Sequence, residues 1–102
     1  MKIPRKLKID GEKWTVEKIS VRQNDLETRY LGCTDHLKKK ITIDIKHRTD
    51  STFLHEIIHA VDVNRHLELS EEQVKSMAYG LYAVIVDNKL DFRNSTKAKK
   101  NN

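Results

Sequence analysis

Two histidines and a glutamate stand inside an apolar stretch of the sequence, STFLHEIIHAVD (residues 51–62). His55 and His59 are four residues apart, and Glu56 directly follows the first of them. Ionisable groups are costly to bury unless they have hydrogen-bonding or charged partners. The neighbouring positions are apolar and favour burial of a helix through this stretch: Phe53, Leu54, Ile57, Ile58 and Val61. The two histidines and the glutamate must therefore find such partners inside the fold.

The spacing of the two histidines predicts a metal site. In an α-helix, residues i and i+4 project from one face about one turn apart. His55 and His59 can thus offer two imidazole nitrogens to one zinc ion at about 2.0–2.1 Å. Glu56 lies about 100° round the helix, where it can act as general base towards a water whose pKa zinc lowers to about 7. The pattern HExxH also occurs by chance, and the histidines would then be partly exposed polar residues.

The sequence before this stretch has the apolar period of β-strands. KLKIDGEKWTVEKI (residues 6–19) predicts a hairpin that turns at Asp10-Gly11. RYLGCTD (residues 29–35) is another short strand candidate. KITIDI (residues 40–45) alternates strictly, which predicts a half-buried strand. Its apolar face carries Ile41, Ile43 and Ile45, and its solvent-facing side carries Thr42 and Asp44.

Two helices follow. The first is predicted to be capped by Asp50 or Ser51, and the second by a capping box of Ser70 and Gln73. The order of elements predicts an α+β fold, with an antiparallel-rich sheet of three to four strands before two helices. We expect one domain over residues 1–88 and a basic, flexible tail over residues 89–102. The second helix runs to about Asp87 with an apolar stripe of Val74, Met77, Ala78, Leu81, Tyr82 and Ile85.

Charge and composition narrow the function classes. The net charge is +5, but residues 51–88 carry two basic and six acidic side chains, a balance of −4. A protein that chiefly grips phosphates would line its functional helices with Lys and Arg, so nucleic-acid binding is only weakly supported. No run approaches the roughly 20 apolar residues of a membrane span. The N-terminal stretch MKIPRKLKIDGEKW has no apolar run behind its basic residues, so it is not expected to be a secretory signal. The single cysteine, Cys33, predicts a reducing cytoplasm.

The stretch from about residue 30 to residue 88 resembles the zincin metallopeptidases. HEIIHA, preceded by KITIDI and followed by a helix with acidic residues, is most similar to the minimal gluzincin-like forms of phages and bacteria, which include the ImmA/IrrE-type domains. The resemblance implies a zinc-dependent peptidase that cleaves a protein or peptide, with Glu56 as the catalytic base. It also implies that the strand before the helix borders the cleft and pairs with an extended substrate, here along Ile41 to Ile45.

The third zinc ligand is predicted from the second helix. His66 lies seven residues after His59, about 10.5 Å along a continuous helix, so it is expected to be a helix-end residue. The gluzincin alternative is a glutamate, and helical phase places Glu71 on the apolar stripe while Glu72 points away. Glu71 is therefore the predicted ligand, with Glu72 as the fallback. Both glutamates could instead simply favour the helix N-terminus electrostatically.

Four further side chains have weaker interpretations. Asp62 could hold the second ring nitrogen of a ligand histidine or be a solvated aspartate. Tyr79 and Tyr82 could offer a phenol to a developing oxyanion, although packing is the better interpretation of each. Cys33 could bind metal, but a small buried thiol is the commoner case.

Three function classes follow from these observations. The first is a zinc peptidase with Zn²⁺ held by His55, His59 and Glu71, and the family resemblance implies a regulatory protein of a phage or mobile element as its substrate. The alternative is a non-catalytic, zinc-stabilised protein-binding module. The third is a nucleic-acid-binding protein that uses Lys38 to Lys40 and the basic tail, although those runs lack interleaved aromatic residues. The oligomeric state is not indicated by the sequence.

Overall fold

The computed structural model describes residues 3–20, 32–44 and 49–90. Four strands precede two helices, and the predicted α+β class is confirmed. Ile45 and the predicted tail from residue 91 onwards lie outside the described residues. Neither described helix combines the length and apolarity needed to cross a membrane. The elements are β1 (Lys6–Ile9), β2 (Glu12–Ile19), β3 (Gly32–Asp35), β4 (Lys40–Asp44), α1 (Thr49–Arg65) and α2 (Glu71–Asp87).

The predicted hairpin at Asp10-Gly11 is confirmed. β1 and β2 pair antiparallel, with Ile9 opposite Glu12. Both turn residues have positive φ, 52° for Asp10 and 83° for Gly11. Two consecutive positive φ values are typical of the two-residue turns that match the twist of antiparallel strands, and Asp-Gly tolerates them well. The local sequence therefore determines this part of the sheet.

The strand order is β1-β2-β4-β3. β4 pairs antiparallel with β3 on one side and parallel with β2 on the other, so the sheet is mixed. The pairing of a peptide along Ile41 to Ile45 is therefore a wrong prediction, because both hydrogen-bonding edges of β4 are occupied by strands. Among the described strands, β1 and β3 form the edges of the sheet.

One face of the sheet packs against α1. Ile41 and Ile43 are completely buried, as the alternation of β4 predicts. Asp44 was expected to face solvent, but it is only 3% exposed. It ends an interior strand and pairs with Ile19 of β2 on one side, so it is not at a free edge on that side of the sheet. The core of this layer consists of Ile3, Ile9, Trp14, Val16, Ile41, Ile43, Phe53 and Ala60.

Helix α1 begins at Thr49, so Asp50 and Ser51 lie in its first turn and neither is the cap that was predicted.

The end of α1 is defined by backbone hydrogen bonds. His66 has a left-handed φ of 56°, the Leu67 N–H donates to the Asp62 carbonyl at 3.1 Å, and the His66 N–H donates to the Val63 carbonyl at 3.3 Å. This pair of bonds is a Schellman motif, and it confirms His66 as a helix-end residue.

The turn between the helices is held by side chains that cap the backbone. Asp62 Oδ1 accepts from the Leu69 N–H at 3.2 Å, so this carboxylate supports the turn. The Ser70 hydroxyl accepts from the Gln73 N–H at 3.1 Å, and Gln73 Oε1 accepts from the Ser70 N–H at 2.9 Å. The predicted capping box is thus confirmed. These bonds place Glu71 as the first residue of α2.

Helix α2 packs on α1 through only part of its predicted stripe. Val74 and Ala78 are buried against Ile58. Met77 and Leu81 are 44% and 47% exposed, so the wide stripe predicted to face α1 is wrong at these positions. The reason is geometric: α1 covers one narrow face of α2, and the described residues supply no second layer there.

The hairpin turn is joined to the end of α1. Arg65 donates to Asp10 Oδ1 from Nε at 3.0 Å and also from Nη2. This hydrogen-bonded pair lowers the pKa of Asp10 and raises the pKa of Arg65. A carboxyl group whose pKa is lowered by folding stabilises the folded state at pH values above its pKa in the unfolded chain. The contribution of Asp10 is lost as the pH falls through its pKa in the folded protein. The contact is exposed, so its contribution is small.

The capping box can be tested by one substitution and a matched control. Ser70→Ala should lower the free energy of unfolding by about 1 kcal/mol, because the Gln73 N–H loses its acceptor. Ser76→Ala, on the exposed side of the same helix, should be neutral or slightly stabilising because alanine is the better helix former. Urea unfolding followed by circular dichroism measures both. Equal losses for the two variants would contradict the capping role.

Candidate metal centre

His55 and His59 meet on one face of α1, as their spacing predicts. Their Nε2 atoms lie 3.1 Å apart, and their ring centroids are 4.8 Å apart. Both side chains are partly buried. Two neutral imidazoles can satisfy each other only if one nitrogen carries the proton and the other does not. Both nitrogens also face the same third group.

That third group is the carboxylate of Glu71. Its Oε2 lies 2.8 Å from His55 Nε2, and its Oε1 lies 3.2 Å from His59 Nε2. The potential ligand atoms of these three residues all lie within 4.8 Å of one another. Glu72 does not belong to this group and is exposed. The structure therefore brings together the three residues that the sequence predicts as ligands, across two helices.

The donor set fits a zinc ion. Ligand atoms held about 2.0–2.1 Å from a tetrahedral ion lie roughly 3.3–3.4 Å from one another. The two Nε2 atoms are 3.1 Å apart, close to that value, whereas they contact different oxygens of Glu71, at 2.8 Å and 3.2 Å. Binding one ion through a single carboxylate oxygen would therefore require this carboxylate to rotate. Two histidines and one carboxylate are also a common catalytic set, which leaves a fourth position open.

Glu56 lies beside this group without being part of it. Its residue is only 7% exposed, and its Oε1 accepts a hydrogen bond of 2.6 Å from the Thr34 hydroxyl. Thr34 belongs to β3, so the carboxylate is held between α1 and the edge of the sheet. A buried carboxylate with a charge-assisted hydrogen bond is satisfied electrostatically. This position, next to His55 but outside the three-residue group, suits a base rather than a ligand.

The group opens into a cleft of about 660 Å³. Lys75 and Tyr79 of α2 contribute to its wall, whereas Tyr82 does not. Of the two tyrosines, only Tyr79 lines the cleft, and it is 54% exposed, so it is not packed in the core. Cys33 is exposed and lies outside the cleft wall, so the buried thiol was a wrong prediction. The wall consists of Gly32, Thr34, His36, Ser51, Thr52, His55, Glu56, His59, Glu71, Lys75, Ala78 and Tyr79.

Sequence reasoning missed the contribution of β3. Thr34 is an ordinary strand residue in the sequence, and nothing local indicates that its hydroxyl meets Glu56. Gly32 did carry a signal, because a glycine within a strand often marks a close approach of another backbone or side chain. The structure shows such an approach: a Cβ on Gly32 would lie 2.8 Å from Thr52 Cγ2 and 3.0 Å from Glu56 Cγ.

Comparisons with known proteins add no family assignment. No protein-family model matches the chain, and no curated protein or solved structure is significantly similar to it. The interpretation of the cleft consequently depends on its own residues and their geometry.

Zinc binding is the direct test of this centre. The protein should take up about one zinc per chain, and His55→Ala or His59→Ala should abolish tight uptake because two ligands remain. His66→Asn is the control, since asparagine tolerates the left-handed φ of that position. Elemental analysis and zinc titration measure the result, and bound zinc should raise the melting temperature. Wild-type protein that takes up no zinc would contradict the assignment.

The third ligand can be tested separately. Glu71→Gln should weaken zinc affinity by at least about tenfold, because an amide is a poorer ligand for zinc than a carboxylate. Glu72→Gln is a matched control, since it removes the same charge from the same first turn of α2. Competition titrations with a chromophoric chelator give both affinities. Equal affinities for the two variants would remove Glu71 from the ligand set.

Proposed function

We propose that this protein is a zinc-dependent peptidase of the gluzincin-like type, in which His55, His59 and Glu71 hold the ion and Glu56 is the general base. One observation carries the proposal: two imidazole nitrogens and a carboxylate converge within 4.8 Å, and a second carboxylate lies beside them in the same open cleft. A site that only held a metal would not need this second carboxylate.

The chain's own residues can perform the acid–base steps of peptide hydrolysis. Zinc, when bound, would polarise the scissile carbonyl and lower the pKa of a nearby water. Glu56 takes one proton from the attacking water while the water oxygen forms a bond to the carbonyl carbon. The C–N bond then breaks, and Glu56 returns that proton to the leaving amine. In this proposal Tyr79, whose presence on the cleft wall supports the role, donates a hydrogen bond to the substrate oxygen.

The substrate class that suits this cleft is a protein or peptide in extended conformation. The described edge strand beside the cleft is β3, and its residues Gly32 and Thr34 belong to the cleft wall. An extended peptide can add to such an edge by main-chain hydrogen bonds. β3 therefore replaces β4 as the strand along which the substrate lies. Resemblance to ImmA/IrrE-type domains supports a regulatory protein of a phage or mobile element as substrate, and the single cysteine supports action in the cytoplasm.

A zinc-stabilised binding module is the second candidate. The ligands come from both helices, so the ion would join α1 to α2, as a structural metal does. The Thr34 hydrogen bond also satisfies Glu56 without any catalytic role. What favours the peptidase is the open cleft around the group, because structural zinc sites are usually closed by a fourth protein ligand.

Nucleic-acid binding is less well supported by the structure than by the sequence. Lys39 pairs with Glu12 at 3.5 Å, and Lys40 pairs with Glu17 at 2.9 Å. The hydrogen bond from Lys40 to Glu17 raises the pKa of the lysine. Two of the three consecutive lysines thus have acidic neighbours, which weakens the local field that would attract phosphates.

Glu56→Gln separates chemistry from metal binding. The variant should keep about one zinc per chain, because Glu56 is not a ligand, while hydrolysis should fall by about 10²- to 10⁴-fold with loss of the general base. The assay is cleavage of a dye-labelled casein by zinc-loaded protein, alongside elemental analysis. Glu72→Gln is the control for removal of an acidic charge. Undiminished cleavage by Glu56→Gln would exclude this glutamate from the mechanism, and tight zinc binding without cleavage by wild type would favour the binding module.

A further inference from the structure

Thr34 makes two contacts with the same residue of α1. Its Oγ1 lies 2.6 Å from Glu56 Oε1 and 3.0 Å from the Glu56 main-chain oxygen. A hydroxyl has one proton to donate. The carboxylate oxygen is closer than the main-chain oxygen and is the stronger acceptor, so it receives this proton. A length of 2.6 Å is typical of a charge-assisted O–H···O⁻ bond. The hydroxyl therefore fixes one particular oxygen of the carboxylate.

The side chain that donates this bond has limited conformational freedom. A β-branched residue in a strand has restricted χ1 freedom, and Thr34 pairs with Ile41 of the interior strand β4. The donor is thus attached to the part of the sheet that is buried most completely. Glu56, by contrast, is a flexible glutamate with three side-chain torsions. Without a fixed partner its carboxylate would sample several positions in the cleft.

Gly32 limits the same carboxylate from a second direction. A Cβ at this position would lie 3.0 Å from Glu56 Cγ and 3.1 Å from Glu56 Oε2. These separations are tighter than ordinary Cβ contacts, and the same Cβ would lie still closer, 2.8 Å, to Thr52 Cγ2. A side chain here would therefore require Thr52 to move and would push Glu56 by a few tenths of an ångström. Gly32 and Thr34 are two residues apart on β3, and successive side chains of a strand alternate between faces. Both positions therefore face α1.

We infer that Thr34 and Gly32 are positioning residues for the general base. Thr34 binds Glu56 Oε1, and Gly32 leaves the space in which Oε2 lies, so that Oε2 is the oxygen that takes the proton from water. This inference rests on the proposed peptidase function and extends it. It makes β3 the element that both aligns the extended substrate and orients the base. The position of the substrate and the orientation of the Glu56 carboxylate are then both determined by this one strand.

The experiment compares three threonine variants of the full chain. Thr34→Val is nearly isosteric and removes the hydroxyl, whereas Thr34→Ser retains it. Thr42→Val is the matched control. Thr42 is a half-buried threonine like Thr34, it lies on β4 opposite Cys33, and it is not part of the cleft wall. The measurements are zinc content and the kcat and KM for hydrolysis of dye-labelled casein.

A positioning role predicts a selective loss. Thr34→Val should lower kcat about ten- to hundredfold, as expected from the loss of a hydrogen bond to a charged group, with KM and zinc content near wild type. Thr34→Ser should restore most of the rate, and Thr42→Val should leave it unchanged. In Glu56→Gln protein, adding Thr34→Val should lower kcat no further. A Thr34→Val protein with wild-type kcat, or one whose zinc content falls in parallel with its rate, would overturn the inference.

A second pair of variants tests the space beside the carboxylate. Gly32→Ala should lower kcat at unchanged zinc content, because the new methyl group requires Thr52 to move and pushes Glu56 away from its contact with Thr34 by a few tenths of an ångström. Gly80→Ala, where a Cβ would meet nothing within 4 Å, should keep the wild-type rate and be slightly more stable, as expected for an exposed helical glycine. Equal rates for the Gly32→Ala and wild-type proteins would overturn the role assigned to Gly32.

One further measurement needs neither zinc nor substrate. A double-mutant cycle of Thr34→Val and Glu56→Gln, measured by urea unfolding of metal-free protein, should show coupling of at least about threefold in the unfolding equilibrium constant. Absent coupling would overturn the inference while leaving the proposed function intact. Coupling accompanied by an inactive wild type would show instead that the peptidase function has failed, and with it the catalytic role of the contact.

Discussion

The packing of α1 between the sheet and α2 is the constraint on which the rest of the structure depends. Phe53 and Ala60 enter the core on the sheet, and Ile58 enters the smaller cluster against α2. Burial on two sides leaves one strip of the helix between the layers, and that strip carries the polar residues of HEIIH. The free energy of burying the apolar side chains thus determines where the histidines and the glutamate can lie.

The polar strip is tolerated because each of its members meets a partner from another element. Glu56 accepts from Thr34 of β3, and both histidines face Glu71 of α2. Buried polar groups without partners would cost several kcal/mol in total, so β3 and α2 are necessary to the stability of α1 and not only to its chemistry. The same contacts that stabilise the helix interface create the candidate centre.

The position of Glu71 depends on how the chain passes from one helix to the next. A Schellman motif ends α1 at His66, Asp62 holds the turn through the Leu69 N–H, and Ser70 caps α2. Each device satisfies backbone groups that a helix end would otherwise leave unpaired. Together they set the axial position of α2, so a carboxylate at its first residue faces the histidines. The convergence of Glu71 on the two histidines therefore depends on backbone capping.

The sequence by itself determined the local features. The hairpin turn, the capping box, the shared face of His55 and His59, and the phase that selects Glu71 over Glu72 all follow from periods and propensities within a few residues. Only the tertiary structure decided that β4 is an interior strand, that Asp44 is buried, and that Thr34 contacts Glu56. Strand order and contacts between layers depend on interactions between residues that are distant in sequence. The free energies of these interactions cannot be predicted from a local sequence pattern. The face shared by His55 and His59 was thus readable from spacing, whereas the contact of Thr34 with Glu56 and the strand edge beside the cleft were not.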